Sequence, residues 1–345
     1  MILLDFSQYP CYSGYRSIEN VSIFLDKLKS NKIGNINNKN NQIQIIKINN
    51  QMQILEKVRK KGSLTKIEDQ NIITIEINQS DFNDISILTD QNFNNLKKLS
   101  LSNNHITNIK PLTTINAPLL SWINLSINFI NDESLYVIEK IINKFDKLNF
   151  LDLNDNKIKN PDIFSFFEGK KNLTKFYIGR NLFEINQEKK NEKINNNNIQ
   201  NKIKKYKMHY IKEIELGKGA FNDTTIKIIS SFVFLNLVII ELNENGLHSL
   251  NFVEDLECDN LEQFLARDNN ITDYKPLKKF NKLKMIDLNN NPIKNIDDLK
   301  EFVKAFSNLE KFYLEKTRIN TNNTEIVQKI KKIRAANKNI EFFFH

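Results

Sequence analysis

Two cysteines in 345 residues, Cys11 and Cys258, are too few and too far apart for a disulfide framework or a paired metal-ligand motif. That scarcity suits a reducing compartment, and sequons such as Asn172-Leu173-Thr174 carry little weight in one. No apolar run reaches the length of a membrane span; the most apolar stretch, 232–240, is short, contains Asn236 and is expected to be core. Met1 to Tyr15 lacks the basic lead-in and long apolar region of a signal peptide. The chain is therefore expected to be cytoplasmic, without membrane insertion. Glycine, at eight, and proline, at six, are scarce as well, whereas Asn, Lys and Ile recur throughout.

Catalytic chemistry is also thin. His105, His209, His248 and His345 are scattered, none at metal-ligand spacing from another His or a Cys, and no Gly-x-Ser-x-Gly nucleophile elbow occurs. Cys258 precedes a repeat start, where a packed small hydrophobe is expected. The segment Leu216-Gly217-Lys218-Gly219-Ala220-Phe221 is similar to the phosphate-covering loop of protein kinases, but Asn222 stands where the third glycine is needed and no catalytic-loop motif follows. A nucleotide-binding enzyme is thus a remote alternative. The expectation is a protein with no catalytic residue, no cofactor, no metal and no small-molecule substrate.

The net charge of +9 raises nucleic acid as a partner, so its distribution matters. Two segments carry nearly all of it. Lys189, Lys190, Lys193, Lys202, Lys204, Lys205 and Lys207 face only Glu188 and Glu192; Lys329, Lys331, Lys332, Arg334 and Lys338 face Glu325 and Glu341. The rest of the chain is close to neutral.

What is abundant is a repeated frame. From Leu96 the chain reads Leu96-x-x-Leu99-x-Leu101-x-x-Asn104-x-Ile106-x-x-Ile109-x-x-Leu112, and Leu283, Ile286, Leu288, Asn291, Ile293, Ile296 and Leu299 repeat it without a miss. The first five positions recur from Leu120, Leu148, Leu173, Ile211, Leu237 and Leu261, with Gly219 in the asparagine slot of the fourth of these. Weaker copies start at Ile72 and Leu309, with Ser80 and Thr317 in that slot, and Ile43, Ile46 and Ile48 suggest one more. Successive starts from 72 to 309 are 24, 24, 28, 25, 38, 26, 24, 22 and 26 residues apart.

This frame resembles that of the leucine-rich-repeat family over about four-fifths of the chain. The shortest interval is similar to the cytoplasmic 22-residue subtype, and the 28-residue one, with a helical 136–145, to the ribonuclease-inhibitor subtype. The resemblance implies an α/β solenoid with a curved parallel sheet on the concave face and helices and irregular segments on the convex face. Alternation in segments such as Leu99-Ser100-Leu101 independently predicts short strands with leucines turned inward. The asparagine falls where the chain leaves the strand, and its amide carries donors and an acceptor for backbone groups at the bend.

Residues 43–320 are accordingly expected to form the solenoid. Residues 1–42 are expected to cap one end, with Ile18, Val21, Leu25 and Leu28 on one helical face; 321–345 are expected to cap the other, through a helix bearing Ile326, Ile330 and Ile333 and a strand near Phe342. The polar, Asn/Lys-rich 184–210 is expected to be a projecting loop.

The frame also predicts which side chains reach the strand face. One row holds Glu76, Ser100, Asn124, Asp152, Tyr177, Glu215, Glu241, Leu265, Asp287 and Tyr313; the next holds Thr74, Lys98, Trp122, Phe150, Lys175, Glu213, Ile239, Gln263, Met285 and Lys311. Trp122, Phe150 and Tyr177 are expected to form an aromatic patch, and Ile239, Leu265 and Met285 an aliphatic one. Trp122, Phe150, Asp152, Tyr177, Glu215, Glu241, Asp287 and Tyr313 are therefore the candidate protein-binding residues of a scaffold or structural subunit in a larger complex, in a cytoskeletal or ciliary setting by analogy. The alternative, a splicing-type nucleic-acid-associated repeat protein, is disfavoured because acidic side chains on that face repel phosphate.

Overall fold

A three-residue strand followed by a bend is too short to bury its apolar side chains alone, so such strands must stack. In the computed structural model, which describes residues 44–49, 72–79, 83–184 and 205–344, they do so in two compact units. The first lies within 1–130 and 136–148, the second within 131–135 and 149–345. The expected N-terminal cap at 1–42 and the central part of the expected loop, 185–204, lie outside the described residues.

In the first unit, β1 (Gln44–Asn49), β2 (Ile72–Asn78), β3 (Lys98–Ser100) and β4 (Trp122–Asn124) pair in parallel and in sequence order. The register sets Ile46 beside Ile75 and Ile48 beside Ile77, so the faint first copy of the frame falls in line with the next. Helix α1 (Leu135–Lys144) returns the chain in the 28-residue repeat. Leu96, Leu99, Leu101, Leu120, Ile123 and Leu125 are all buried.

The second unit holds β5 (Phe150–Asp152), β6 (Lys175–Tyr177), β8 (Glu213–Glu215), β10 (Ile239–Glu241), β12 (Gln263–Leu265), β13 (Met285–Asp287), β14 (Lys311–Tyr313) and β15 (Glu341–Phe343), again parallel. Most return segments are 3₁₀ turns, such as Pro161–Phe167 and Lys275–Lys279, because intervals this short leave no room for a full helix. The α-helical returns are α2 (Leu299–Val303) and the terminal α3 (Thr324–Ala336), whose N-cap Asn323 accepts from the N–H groups of Glu325 and Ile326.

A second parallel sheet, which the sequence did not suggest, joins β7 (Tyr206–Lys207), β9 (Phe232–Phe234) and β11 (Glu257–Cys258) on the return side of the second unit. It corrects the extent of the expected loop: residues 205–210 are structured, and Tyr206 and Met208 are buried. Phe164 supplies the reason, with its ring centroid 4.7 Å from that of Phe232 and 6.0 Å from that of Tyr206. These rings fill the space behind β6 and β8, and a basic, low-complexity sequence hides the two apolar side chains that join them.

At each turn the frame asparagine satisfies the bend. Asn104 Nδ2 donates to the carbonyls of Ile77, Leu101 and Ser102, and Asn128 Nδ2 to those of Leu101, Leu125 and Ser126, while Asn128 Oδ1 accepts from Ile106 N–H. Asn181, Asn245, Asn269 and Asn291 repeat the pattern in the second unit. Thr317 reproduces one bond of it, donating its hydroxyl to the Leu314 carbonyl. Gly219 keeps the register without the side chain: its φ is +76° and it is exposed.

The residue before that slot is left-handed in turn after turn, with φ of 54° at Asn103, 54° at Asp155, 56° at Asp268 and 53° at Asn290. Asn and Asp tolerate this conformation. Ile127, at φ 54° and 47% exposed, does not, because its branched Cβ crowds the backbone. Ile127→Asn is expected to raise the unfolding free energy by about 1 kcal/mol, measured by denaturant titration. Asn269 accepts from the N–H groups of Asn245 and Leu247 besides its donations, so Asn269→Ala strands several buried backbone groups. Its loss is expected to cost about 3 kcal/mol or more, against less than about 0.5 kcal/mol for Asn270→Ala at the exposed neighbour.

Candidate functional site

Because side chains alternate along each short strand, the middle residue points into the core and its two neighbours reach the opposite face. The register then fixes the rows. In the first unit Thr74, Lys98 and Trp122 lie abreast, as do Glu76, Ser100 and Asn124. Lys98 Nζ sits 4.4 Å from the Trp122 ring centroid and 3.0 Å from Glu76 Oε1, so the tryptophan face is engaged by a cation that is itself ion-paired.

In the second unit one row runs Phe150, Lys175, Glu213, Ile239, Gln263, Met285, Lys311, and the next Asp152, Tyr177, Glu215, Glu241, Leu265, Asp287, Tyr313. The aromatic members meet in pairs. Phe150 and Tyr177 pack edge to face with centroids 5.0 Å apart, and Tyr313 stacks on Phe343 of β15 at 4.3 Å. Phe150 is only 8% exposed, so the expected accessible patch is smaller than its residue list: this ring is consumed by packing under Tyr177. Gln263 separates Ile239 from Met285 in their row, and Leu265 stands in the other, so the aliphatic group zigzags between rows.

The second row concentrates carboxylates, and their surroundings explain their titration. Burial pushes the Asp152 carboxyl up to about 6; Glu215 and Asp155 push the same way, against the Asn154 N–H it accepts at 2.9 Å and the charge of Lys218. Burial likewise raises Glu241, reinforced by Glu215 and opposed by the Asn243 amide, and raises Asp287 against the N–H of Asn289. Tyr177 is held above its ordinary range by burial and by the hydrogen bond its hydroxyl donates to Glu213. Glu213 also pairs with Lys175, and Glu215 with Lys218 at 3.3 Å.

Sequence reasoning missed the polar residues two positions on. Asp152 accepts from the Asn154 N–H, Asn124 from Ser126 and Asp287 from Asn289, each an Asx turn that re-aims the chain out of the strand. Asn243 Nδ2 donates to Glu241 Oε1 at 2.7 Å while its Oδ1 accepts from Arg267 N–H at 2.9 Å. The signal was present as Asp or Asn recurring two residues apart at the strand ends.

The glycine motif is a turn. Lys218 is left-handed at φ 60°, its N–H donates to the Asn243 carbonyl at 2.7 Å, and the Gly217 carbonyl accepts from Arg180 N–H at 2.9 Å. A Cβ on Gly217 would lie 2.7 Å from the Asn243 carbonyl oxygen, so close approach of neighbouring turns accounts for that glycine without any phosphate. Cys258 is buried and free, and burial pushes its thiol up to about 12. Among the described residues no group of three His, Cys, Asp or Glu side chains could hold a metal ion, and no helix is long and apolar enough to cross a membrane.

Stacked parallel strands with a side-chain ladder at the bends define a repeat solenoid. The family model described as leucine-rich repeats in two copies matches residues 259–301. TLR13 in a complex with ssRNA13 shares the fold, at TM-score 0.50 and 14% identity over 80% of this chain and 44% of that one. An internalin from Listeria monocytogenes is similar at TM-score 0.48 and 16% identity, over 80% of this chain and 76% of that one. No curated relative matches by sequence. The chain has the leucine-rich-repeat solenoid fold, and its residues 259–301 match the leucine-rich-repeat family model.

One consequence of the buried carboxylate is measurable. The folded pKa of Asp152 lies above its unfolded value near 3.8, so the native state binds the extra proton between about pH 4 and 6. Its contribution to stability therefore falls as pH rises through that window. Asp152→Asn is expected to flatten the pH dependence there and to stabilise the protein at neutral pH by roughly 1–3 kcal/mol, read from denaturant midpoints across the range.

Proposed function

We propose that this protein is a non-catalytic scaffold or structural subunit that binds a protein partner through the strand face, the expected concave side, within a larger complex. The supporting observation is the division of labour along each strand of the second unit. The inward residue is fully buried, while the registered rows hold Tyr177, Ile239, Leu265, Met285 and Tyr313 partly exposed among carboxylates. Partly exposed aromatic and aliphatic side chains beside charged ones match the composition of interface centres.

Cytoplasmic placement belongs to the proposal and rests on the scarcity of cysteine and on the free thiol of Cys258. A cytoskeletal or ciliary assembly is the setting that mixed repeat lengths and the basic insertion suggest by analogy. Nucleic acid on the same face is disfavoured by Asp152, Glu215, Glu241 and Asp287.

The test compares partners co-purified with the wild-type chain and with Met285→Ala/Tyr313→Ala, chosen because both side chains are partly exposed and neither belongs to the buried frame. Loss of about 2 kcal/mol per anchor, roughly thirtyfold in affinity, is expected for a bound protein, with circular dichroism unchanged. Retention of every partner by the folded double variant would refute the assignment of this face.

A further inference from the structure

Of the eight glycines, Gly246 alone follows an asparagine, so Asn245-Gly246 is the one Asn-Gly pair in the chain. Such a pair carries its own chemistry. Glycine has no Cβ to shield its backbone nitrogen or restrict its approach, so that nitrogen, on losing its proton, can attack Cγ of the preceding carboxamide. The bond from Cγ to Nδ2 breaks, the nitrogen leaves with the proton as ammonia, and a five-membered imide remains. Water then opens the ring at either carbonyl, giving aspartate or isoaspartate. The sum consumes one water and releases one ammonia, with no oxidant, cofactor or enzyme.

In the folded protein the hydrogen bonds that make Asn245 part of the ladder oppose this reaction. Asn245 is 6% exposed; its Nδ2 donates at 3.0 Å to the carbonyls of Leu216 and Leu242, and its Oδ1 accepts from the Phe221 N–H at 3.1 Å. Its backbone N–H is held on Asn269 Oδ1 at 3.0 Å. Turning Cγ toward the Gly246 nitrogen breaks the three side-chain bonds and leaves buried groups unpaired. Gly246 itself is exposed, with a φ of +70°, so solvent stands one residue away from the protected carbon.

The same position is where the ladder has least redundancy. Elsewhere the leucine carbonyl receives two carboxamide N–H groups, one from its own turn and one from the next: Leu101 from Asn104 and Asn128, Leu153 from Asn156 and Asn181, Leu242 from Asn245 and Asn269. Gly219 fills the slot of the turn that holds Leu216, so among the described residues the Leu216 carbonyl receives a carboxamide from Asn245 alone. A carboxylate at this position has no N–H to donate and sets negative oxygen against both carbonyls. Isoaspartate also lengthens the backbone by a methylene and displaces the register.

We infer that Asn245-Gly246 is a spontaneous deamidation site, kept silent by the closed turn, and that conversion after the turn opens prevents the ladder from closing again. Folding thus protects the most reactive carboxamide of the stack, and each opening long enough for the imide to form removes a molecule from the folding equilibrium. The inference is independent of what the strand face binds.

The experiment incubates the full chain at neutral pH in native buffer and in denaturant and follows Asn245 by peptide mapping, in which exchange of nitrogen for oxygen raises the mass. Conversion is expected in denaturant and is expected to be at least about a hundredfold slower in native buffer, because only the opened fraction reacts. When denaturant is removed, converted chains are expected not to regain the native circular dichroism. Chains held equally long in mildly acidic denaturant, where the glycine nitrogen is not activated, are expected to refold. Asn245→Asp supplies the product's charge directly: its folding equilibrium is expected to fall about tenfold or more, read from denaturant midpoints, and failure to fold has the same sign. Equal conversion in the two buffers, no conversion in denaturant, full refolding of converted chains, or an unchanged midpoint for Asn245→Asp would each overturn the inference.

Discussion

Each turn of this chain leaves a short strand by a bend, and the bend deprives backbone N–H and C=O groups of sheet partners in a place water does not reach. One carboxamide per turn replaces what is lost. Asn269 shows the economy of the device: it donates to carbonyls of its own turn and the one before, and accepts from the N–H groups of Asn245 and Leu247. A hydroxyl does only part of this, as at Thr317, and a glycine none, as at Gly219. Both exceptions mark places where the regular stack is modified, the C-terminal end and the turn after the insertion.

The ladder constrains everything outside it. It holds the preceding residue left-handed, which favours Asn and Asp at Asn103, Asp155, Asp268 and Asn290 and leaves Ile127 strained. It also sets the register, so the side chains flanking each inward residue fall into rows whose contents depend on sequence alone. Close approach of neighbouring turns makes Gly217 obligatory, which removes the phosphate-binding meaning from the one motif suggestive of nucleotide chemistry.

The rows are where burial and charge oppose one another. Asp152, Glu241 and Asp287 are carboxylates held against burial, and an isolated chain would be more stable with neutral groups there. The orphaned oxygen of Asn154 belongs to the same economy. Under the proposed function, these residues oppose folding on the face read as the binding surface.

The sequence by itself determined the architecture, because a period that returns leucine, isoleucine and asparagine to the same phase has a single stacked solution. It also determined the rows, since alternation within a three-residue strand leaves no freedom about which side chains turn outward. Tertiary structure alone decided how much of each row stays accessible. Phe150 disappears under Tyr177, the hydroxyl of Tyr177 is taken by Glu213, and Trp122 is covered by an ion-paired lysine, outcomes set by side-chain conformations that no periodicity encodes. It alone disclosed the sheet of Tyr206, Phe232 and Cys258, whose pairing joins segments about 25 residues apart through ring packing that a basic local composition conceals. And it alone placed Asn154 between two carboxylates with one lone acceptor, because hydrogen-bond satisfaction is a property of neighbours in space.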